Sequence, residues 1–161
     1  TASLLNTHLR DQLNALKTPP TDLYNVDEGA DYTTTSTSFT NVDGTDLNLS
    51  ITTTGGDVLV WFFGTINLGA ANADIYFNFT IDGVAAAADD GIIQFRSGNI
   101  ANADVSEFPI GFVFLCQSVS AGAHIFNLQW KTSSGDTVTL RAGAGTSAKD
   151  THPQFGAREI S

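Results

Sequence analysis

Three histidines are the side chains best suited to metal binding or acid–base catalysis: His8, His124 and His152. Their spacing gives neither an H-x-H nor an H-E-x-x-H pattern, the arrangements that place two imidazoles on one metal ion. His124 shares a strand face with three large apolar residues, a setting typical of a hydrogen-bonded histidine in a core or at an interface. The sequence therefore predicts neither a metal site nor a catalytic histidine.

Paired carboxylates offer a second kind of chemistry. Asp43 and Asp46 lie close together in a turn, and Asp89-Asp90 precedes Gly91. A calcium ion takes about six to eight oxygen ligands, whereas aspartates in turns commonly bond their own backbone. Calcium binding in the turn 43–46 stays an alternative. A glycosidase needs two carboxylates facing each other, and the sequence selects no such pair.

Cys116 is the only cysteine, so no disulfide can form within the chain. It lies in the apolar run 112–116, where we expect a small buried side chain, because a reactive thiolate needs an exposed, electropositive site. The sequence contains no nucleophile elbow, phosphate-binding loop or dinucleotide fingerprint. We therefore expect no enzymatic activity, no catalytic residue and no cofactor.

Alternation of apolar and polar residues indicates that most of the chain forms strands. In the segment 74–83, apolar side chains occupy every second position from Ile75, and Asp82-Gly83 supplies a hairpin turn. Similar runs separated by glycine-containing turns predict an all-β fold, an antiparallel jelly-roll β sandwich. The predicted strands are 32–40, 46–53, 57–68, 74–82, 91–96, 107–117, 123–132, 136–142 and 153–160.

Residues 1–17 form a predicted short N-terminal α-helix, which Pro19-Pro20 ends. We expect residues 18–30 to be a linker and residues 31–161 to be the jelly roll. A helix of about four turns is marginal alone in water, so its apolar stripe needs a partner. That partner is either its own sandwich or other copies of the chain, and the Pro-Pro spacer favours the copies. The stripe consists of Leu5, Leu9, Leu13 and Leu16.

Two predicted strands, 58–63 and 108–115, are apolar on both faces. Because a sandwich strand buries one face against the core, the second face needs a loop, the other end of the sandwich or another subunit. We therefore predict an oligomer, with Trp130 anchoring either the core or a subunit interface. The predicted interface residues are Leu5, Leu9, Leu13, Leu16, Trp61, Phe63, Phe112, Phe114, His124 and Trp130.

Composition limits the partners. A net charge of −10 argues against binding the phosphates of DNA or RNA. No stretch reaches the ~18 apolar residues of a membrane-spanning helix, and no signal peptide is recognisable. The sequence opens at Thr1 and contains no Met, so we expect that an initiator Met or a longer leader is missing.

Two parts of the chain resemble known families. Residues 2–16, ASLLNTHLRDQLNAL, resemble a segment common near the start of tailed-phage virion proteins, where it follows a short lead containing Trp and Gly that is absent here. The body resembles the jelly rolls of the complement C1q and tumour-necrosis-factor type. The stretches that carry this second resemblance are 40–47, 55–60, 81–83, 121–126, 129–130 and 155–159.

The resemblance implies a homotrimer with aromatic residues near the threefold axis. It also implies a role as a capsid decoration, head fibre or tail-fibre tip, with the small size leaning towards decoration. We therefore predict a non-enzymatic structural protein on the phage virion surface. Its partners would be further copies, other virion proteins and, as a further candidate, a host cell-surface glycan.

Two other classes of protein stay open. The alternative to a virion protein is a secreted bacterial adhesive or filament subunit that binds surface glycans. A strand-donating filament subunit, however, needs a terminus that can form a β-strand, whereas this N-terminus is predicted to be helical. The third class, a polysaccharide depolymerase, would need a carboxylate-lined groove that the sequence does not reveal.

Overall fold

The computed structural model describes residues 2–17, 19–25, 29–98, 107–143, 145 and 150–160. Helix α1 spans Ala2–Lys17, and twelve strands follow it within the described residues. The strands are β1 (Thr21–Asn25), β2 (Tyr32–Thr34), β3 (Thr40–Asn41), β4 (Asn48–Thr53), β5 (Gly56–Leu68), β6 (Asp74–Ile81), β7 (Val84–Ala85), β8 (Ile93–Arg96), β9 (Glu107–Val119), β10 (Gly122–Thr132), β11 (Val138–Leu140) and β12 (Gln154–Glu159).

The strands form two antiparallel sheets. In the first sheet, β1 pairs with β12, β12 with β5, and β5 with β9, while β11 and β2 extend the sheet beside the end of β5. In the second sheet, β10 lies between β6 and the pair β4 and β3, and β6 also pairs with β7 and β8. The predicted all-β jelly-roll sandwich with a short N-terminal helix is confirmed.

The core lies between the two sheets. Phe62 of the first sheet meets Phe77 of the second, with ring centroids 4.8 Å apart. The apolar face predicted for β6 lies in the core, where Ile75, Phe77 and Phe79 are fully buried. The opposite face of β6 is buried as well, with Asn78 and Thr80 almost inaccessible. Each such side chain contributes about 1.5–3 kcal/mol through removal of apolar surface from water. This packing fixes the position of one sheet on the other.

The predicted strand 32–40 is broken into β2 and β3. The amide of Ser36 donates to the Thr34 hydroxyl at 3.1 Å, and the Ser36 hydroxyl donates to the Ser38 carbonyl at 2.7 Å. Hydroxyl side chains that bond the nearby backbone compete with a strand ladder. A turn of serines and threonines therefore replaces the middle of the predicted strand.

A strand lies inside the segment expected to be a linker. Strand β1 pairs with β12 along five residues, from Thr21 opposite Arg158 to Asn25 opposite Gln154. Its Asp22 reaches the second sheet, where Oδ2 accepts a hydrogen bond of 2.8 Å from the Ser50 amide in β4. Strand β1 therefore ties the edges of the two sheets together and brings the end of α1 directly to the sandwich.

The two ends of the sandwich differ in their connections. We call the end at which the chain passes from α1 into β1 the helix pole, and the opposite end the far pole. The helix pole carries the short turns at 54–55, 82–83 and 120–121, and β12 also ends there. In the turn at 82–83, Asp82 and Gly83 both have positive φ, 52° and 84°, as the predicted hairpin turn requires.

Candidate functional site

Large apolar side chains collect on the outer side of the first sheet, away from the core. On β5 the inward residues are buried, whereas every second residue between them points outward and stays accessible. The same alternation on β9 leaves two aliphatic side chains outside, and β1 adds one more. We call this surface the outer apolar face, and it consists of Leu23, Leu59, Trp61, Phe63, Val113 and Leu115.

The register of the strands makes this surface continuous. Leu59 lies opposite Leu115, and Trp61 lies opposite Val113. Phe63 is 50% exposed and Val113 is 58% exposed, so the part of the chain that the structure describes leaves them uncovered. An apolar surface of this kind, on a sheet whose other side already packs on the core, is typical of interaction sites.

Two glycines shape the face. A Cβ on Gly156 would lie 2.2 Å from the Trp61 ring, and a Cβ on Gly111 would lie 2.5 Å from the Phe63 ring. The two aromatic rings therefore lie against bare backbone on either side of β5. The indole Nε1 donates to Gln154 Oε1 at 3.2 Å, so the polar atom of the ring is satisfied on the sheet itself. The result is a low, apolar surface suited to packing against another protein surface.

The predicted interface residues divide into two groups. Trp61 and Phe63 lie on the outer apolar face, and Leu5, Leu9 and Leu13 are exposed on α1. The side chain of Leu16 lies outside those described. The five described positions are open to a second chain, which keeps them as candidates for an interface.

The other four predicted interface residues point into the sandwich and are covered there by their own chain, which for Trp130 matches the alternative of a core anchor. Trp130 is 2% exposed and packs on Phe77, with centroids 6.1 Å apart. Phe112 is buried, and Phe114 packs edge-on against Phe79 at 5.6 Å. His124 is buried as well. A strand that is apolar on both faces does not reveal which face is the inner one, and here the aromatic face of β9 is inside.

Sequence reasoning also missed residues of the face. Leu59 lies two residues before Trp61, and Val113 and Leu115 lie two residues apart on the other doubly apolar strand. The period of two along each strand could therefore have revealed them. Leu23 offered no such signal, because it stands alone in the polar segment 21–25.

At the helix pole the structure brings together a Ser, a His and an Asp that are distant in sequence. His124 Nδ1 lies 2.7 Å from Asp82 Oδ2, and Nε2 lies 3.4 Å from Ser120 Oγ. Nε2 is closer, at 2.9 Å, to the carbonyl oxygen of Ser120. A carboxylate and a carbonyl only accept hydrogen bonds, so both imidazole nitrogens donate. An imidazolium held in this way cannot take a proton from the serine hydroxyl.

The pKa values agree with this arrangement. The Asp82 carboxylate raises the pKa of His124, and the Ser120 carbonyl adds to the effect. The pKa of Asp82 is lowered by the amide of Ile125 and then by His124. The cluster therefore ties the turn at 82–83 to the turn at 120–121 as an ion pair.

The remaining titratable groups with resolved contacts have structural roles. A hydrogen bond from Arg96 lowers the pKa of Asp74, whose carboxylate also accepts from the Ser133 hydroxyl at 2.9 Å. Arg141 pairs with both Asp31 and Glu107 at the far pole. Each of these charged groups has its ion pairs and hydrogen bonds within its own chain.

The part of the chain that the structure describes contains no cluster of metal ligands and no activated thiol. There, no three His, Cys, Asp or Glu side chains cluster as metal ligands would. Asp43 Oδ1 instead accepts the amides of Thr45 at 2.6 Å and Asp46 at 2.7 Å. Burial raises the pKa of the Cys116 thiol to about 11. Among the described residues, no helix has the length and apolar character needed to cross a membrane.

Comparison with known proteins supports the fold. No family model matches the sequence, and no protein of curated function is significantly similar to it. The structure of Eiger TNF from S. frugiperda is similar at a TM-score of 0.50 and 9% identity, covering 89% of this chain and 94% of that one. The chain thus shares its jelly-roll fold with that structure, and at this identity the similarity concerns the fold alone.

Two further structures give lower scores. PRD1 vertex protein P5 has a TM-score of 0.49 and 7% identity, covering 89% of this chain and 98% of that one. Dimeric latent PorU from Porphyromonas gingivalis has a TM-score of 0.42 and 11% identity, covering 88% of this chain and 13% of that one.

Proposed function

We propose that this chain is a structural, non-enzymatic protein of the outer surface of a phage particle. It assembles there as a homotrimer through the outer apolar face and serves as a capsid decoration, head fibre or tail-fibre tip. The single observation that carries the proposal is the outer apolar face itself. A virion location is supported by the resemblance of residues 2–16 to a segment of tailed-phage virion proteins.

The side chains of the face favour subunit assembly over catalysis. Its six side chains offer no nucleophile, acid or base, and Arg158 contributes a cation only at its rim, opposite Leu59. Subunit interfaces are commonly apolar at their centre and polar at the rim. Several copies of the same face around one axis would cover Trp61 and Phe63 without any further protein, and closed symmetric assemblies of this type are the rule for homo-oligomers.

Light scattering coupled to size exclusion tests the assembly. We expect about three times the 17.0 kDa of the chain for the unaltered protein, and the mass of one chain for the double variant Trp61→Ser, Phe63→Ser. The matched control is Ile125→Ser, because Ile125 is 45% exposed but lies on the second sheet. A monomer of the unaltered protein at micromolar concentration, or a trimer of the double variant, contradicts the proposed interface.

Electron microscopy tests the location. Gold-labelled antibodies against the chain should decorate the outside of purified particles, either on the capsid or on the tail. Particles without label, together with protein in the culture medium, would favour the secreted adhesive instead. The two experiments are independent, since a trimer is expected in solution wherever the protein is finally bound.

A further inference from the structure

We infer that the α1 helices of neighbouring copies pack in parallel at the helix pole, leucine stripe against leucine stripe. This inference rests on the proposed homotrimer and adds to it a second contact between subunits. It also selects other copies of this chain, and not its own sandwich, as the partner of the helix.

The first observation is the exposure of the stripe. Leu5, Leu9 and Leu13 are 62%, 53% and 63% exposed, although they share one side of a helix whose opposite side carries Ser3 and Thr7. A 16-residue helix that buries none of these leucines is marginal in water, since most helical stability in proteins comes from packing an apolar face. The stripe therefore requires a partner for the helix to persist.

The second observation is the short joint between the helix and the sandwich. The Pro20 carbonyl already accepts a hydrogen bond of 3.0 Å from the Glu159 amide, and Thr21 pairs with Arg158. Only residues 18 and 19 separate the end of α1 from this ladder. Each of them precedes a proline, and a residue before proline is disfavoured in the helical conformation. The end of α1 is therefore only two residues away in sequence from the β1 edge of the first sheet.

The third observation connects this edge with the outer apolar face. Leu23 belongs to the face and lies in β1, just beyond the joint. Copies that meet through the face consequently bring the bases of their helices to the same pole. Rotation about a single axis relates the copies of a cyclic trimer, so the helices all leave from the same end of the assembly and at the same angle to the axis. A parallel bundle about 24 Å long then covers the leucines that each chain leaves exposed.

Cysteine cross-linking in the full-length chain tests the arrangement. Leu5→Cys and Leu13→Cys are made separately, and also co-expressed with a size tag on one of them. The native Cys116 is buried and adds little background. A parallel bundle gives a disulfide-linked dimer within each variant and none between them, because residue 5 meets residue 5 and residue 13 meets residue 13. Thr7→Cys, on the opposite side of α1, is the matched control and should not cross-link.

The outcomes separate this inference from the proposed function. Cross-links between Leu5→Cys and Leu13→Cys indicate antiparallel helices and overturn the inference. No cross-link in a protein that light scattering shows to be trimeric also overturns it, with the helix then docking on its own sandwich or on another protein, while the trimer stands. No cross-link in a protein that is monomeric contradicts both.

Discussion

The indole of Trp61 rests on the backbone of Gly156 in the neighbouring strand β12. The two residues are partners in the ladder between β5 and β12, and a Cβ at position 156 would come within 2.3 Å of two ring carbons. The absence of a side chain at this position thus determines how an aromatic residue lies on the outer apolar face. The flatness of the face therefore depends on a residue that has no side chain.

Gly156→Ala should disrupt assembly more than it disrupts the sandwich. The new methyl group displaces the Trp61 ring, and overpacking of this kind typically costs about 1–3 kcal/mol. We expect the mass from light scattering to fall towards that of a monomer, with circular dichroism still showing strands. Gly44→Ala is the control, because its Cβ would meet nothing closer than 4.0 Å. A fully assembled Gly156→Ala protein would mean that the orientation of Trp61 does not matter.

Trp130→Ala should unfold the sandwich. Its side chain is buried by its own chain, against Phe77, and replacing a buried aromatic residue by alanine costs about 3–5 kcal/mol. That is a large part of the ~5–15 kcal/mol that stabilises a typical domain. Chemical denaturation followed by far-UV circular dichroism measures the loss. A variant that folds normally but loses binding to cells or glycans would instead assign Trp130 to a ligand site.

Stability should fall as the pH rises through the pKa of His124 in the folded protein. Asp82 raises that pKa, so the contribution of His124 is complete below about pH 6.5, the ordinary value for histidine, and disappears above the raised value. The pKa of Asp82 is lowered, so its own contribution is present above its ordinary value and is lost as the pH falls through the lowered one.

Denaturation midpoints between pH 5 and 9, compared between the native chain and His124→Gln, measure this effect. The native protein should lose stability towards the alkaline end, and the variant should lose less of it. His8→Gln, on the exposed helix, is the control and should follow the native curve. Identical slopes for all three proteins would show that the ion pair with Asp82 contributes nothing.

Truncation should separate the helix from the sandwich at a defined residue. A chain that begins at residue 19 keeps β1 and its ladder with β12, and we expect it to retain the β signal in circular dichroism. A chain that begins at residue 27 loses β1 and leaves β12 as an unprotected edge, which promotes aggregation. If the first truncation already abolishes the β signal, the helix packs on its own domain.

How far the sequence predicted this structure can be judged from single strands. The alternation around Phe77 and the turn at Asp82-Gly83 are local patterns, and both were predicted correctly. Strand β1 was missed, because its pairing with β12 joins residues far apart in sequence and its own composition is polar. Local patterns therefore describe an element well when its own residues carry the alternation, as in β6, which pairs mainly with the distant strand β10.

The outer apolar face was predicted in part for a similar reason. Two strands that are apolar on both sides indicated that one side needs a cover, and Trp61 and Phe63 do lie on that side. For β9 the sequence favoured the aromatic residues as interface, whereas the structure places Phe112 in the core and Val113 outside. The choice between the two sides depends on the facing sheet, which a single strand does not encode.

The junction of α1 and β1 also has a mechanical consequence. If the helix is held and the sandwich is pulled away, the force enters at Thr21 and runs along β1. The ladder with β12 lies across that direction, so its hydrogen bonds resist as a group and do not open one after another from the end. Asp22 adds an anchor to the second sheet at Ser50. A protein attached through its helix would thus withstand drag from the surrounding fluid better than one attached through a loop.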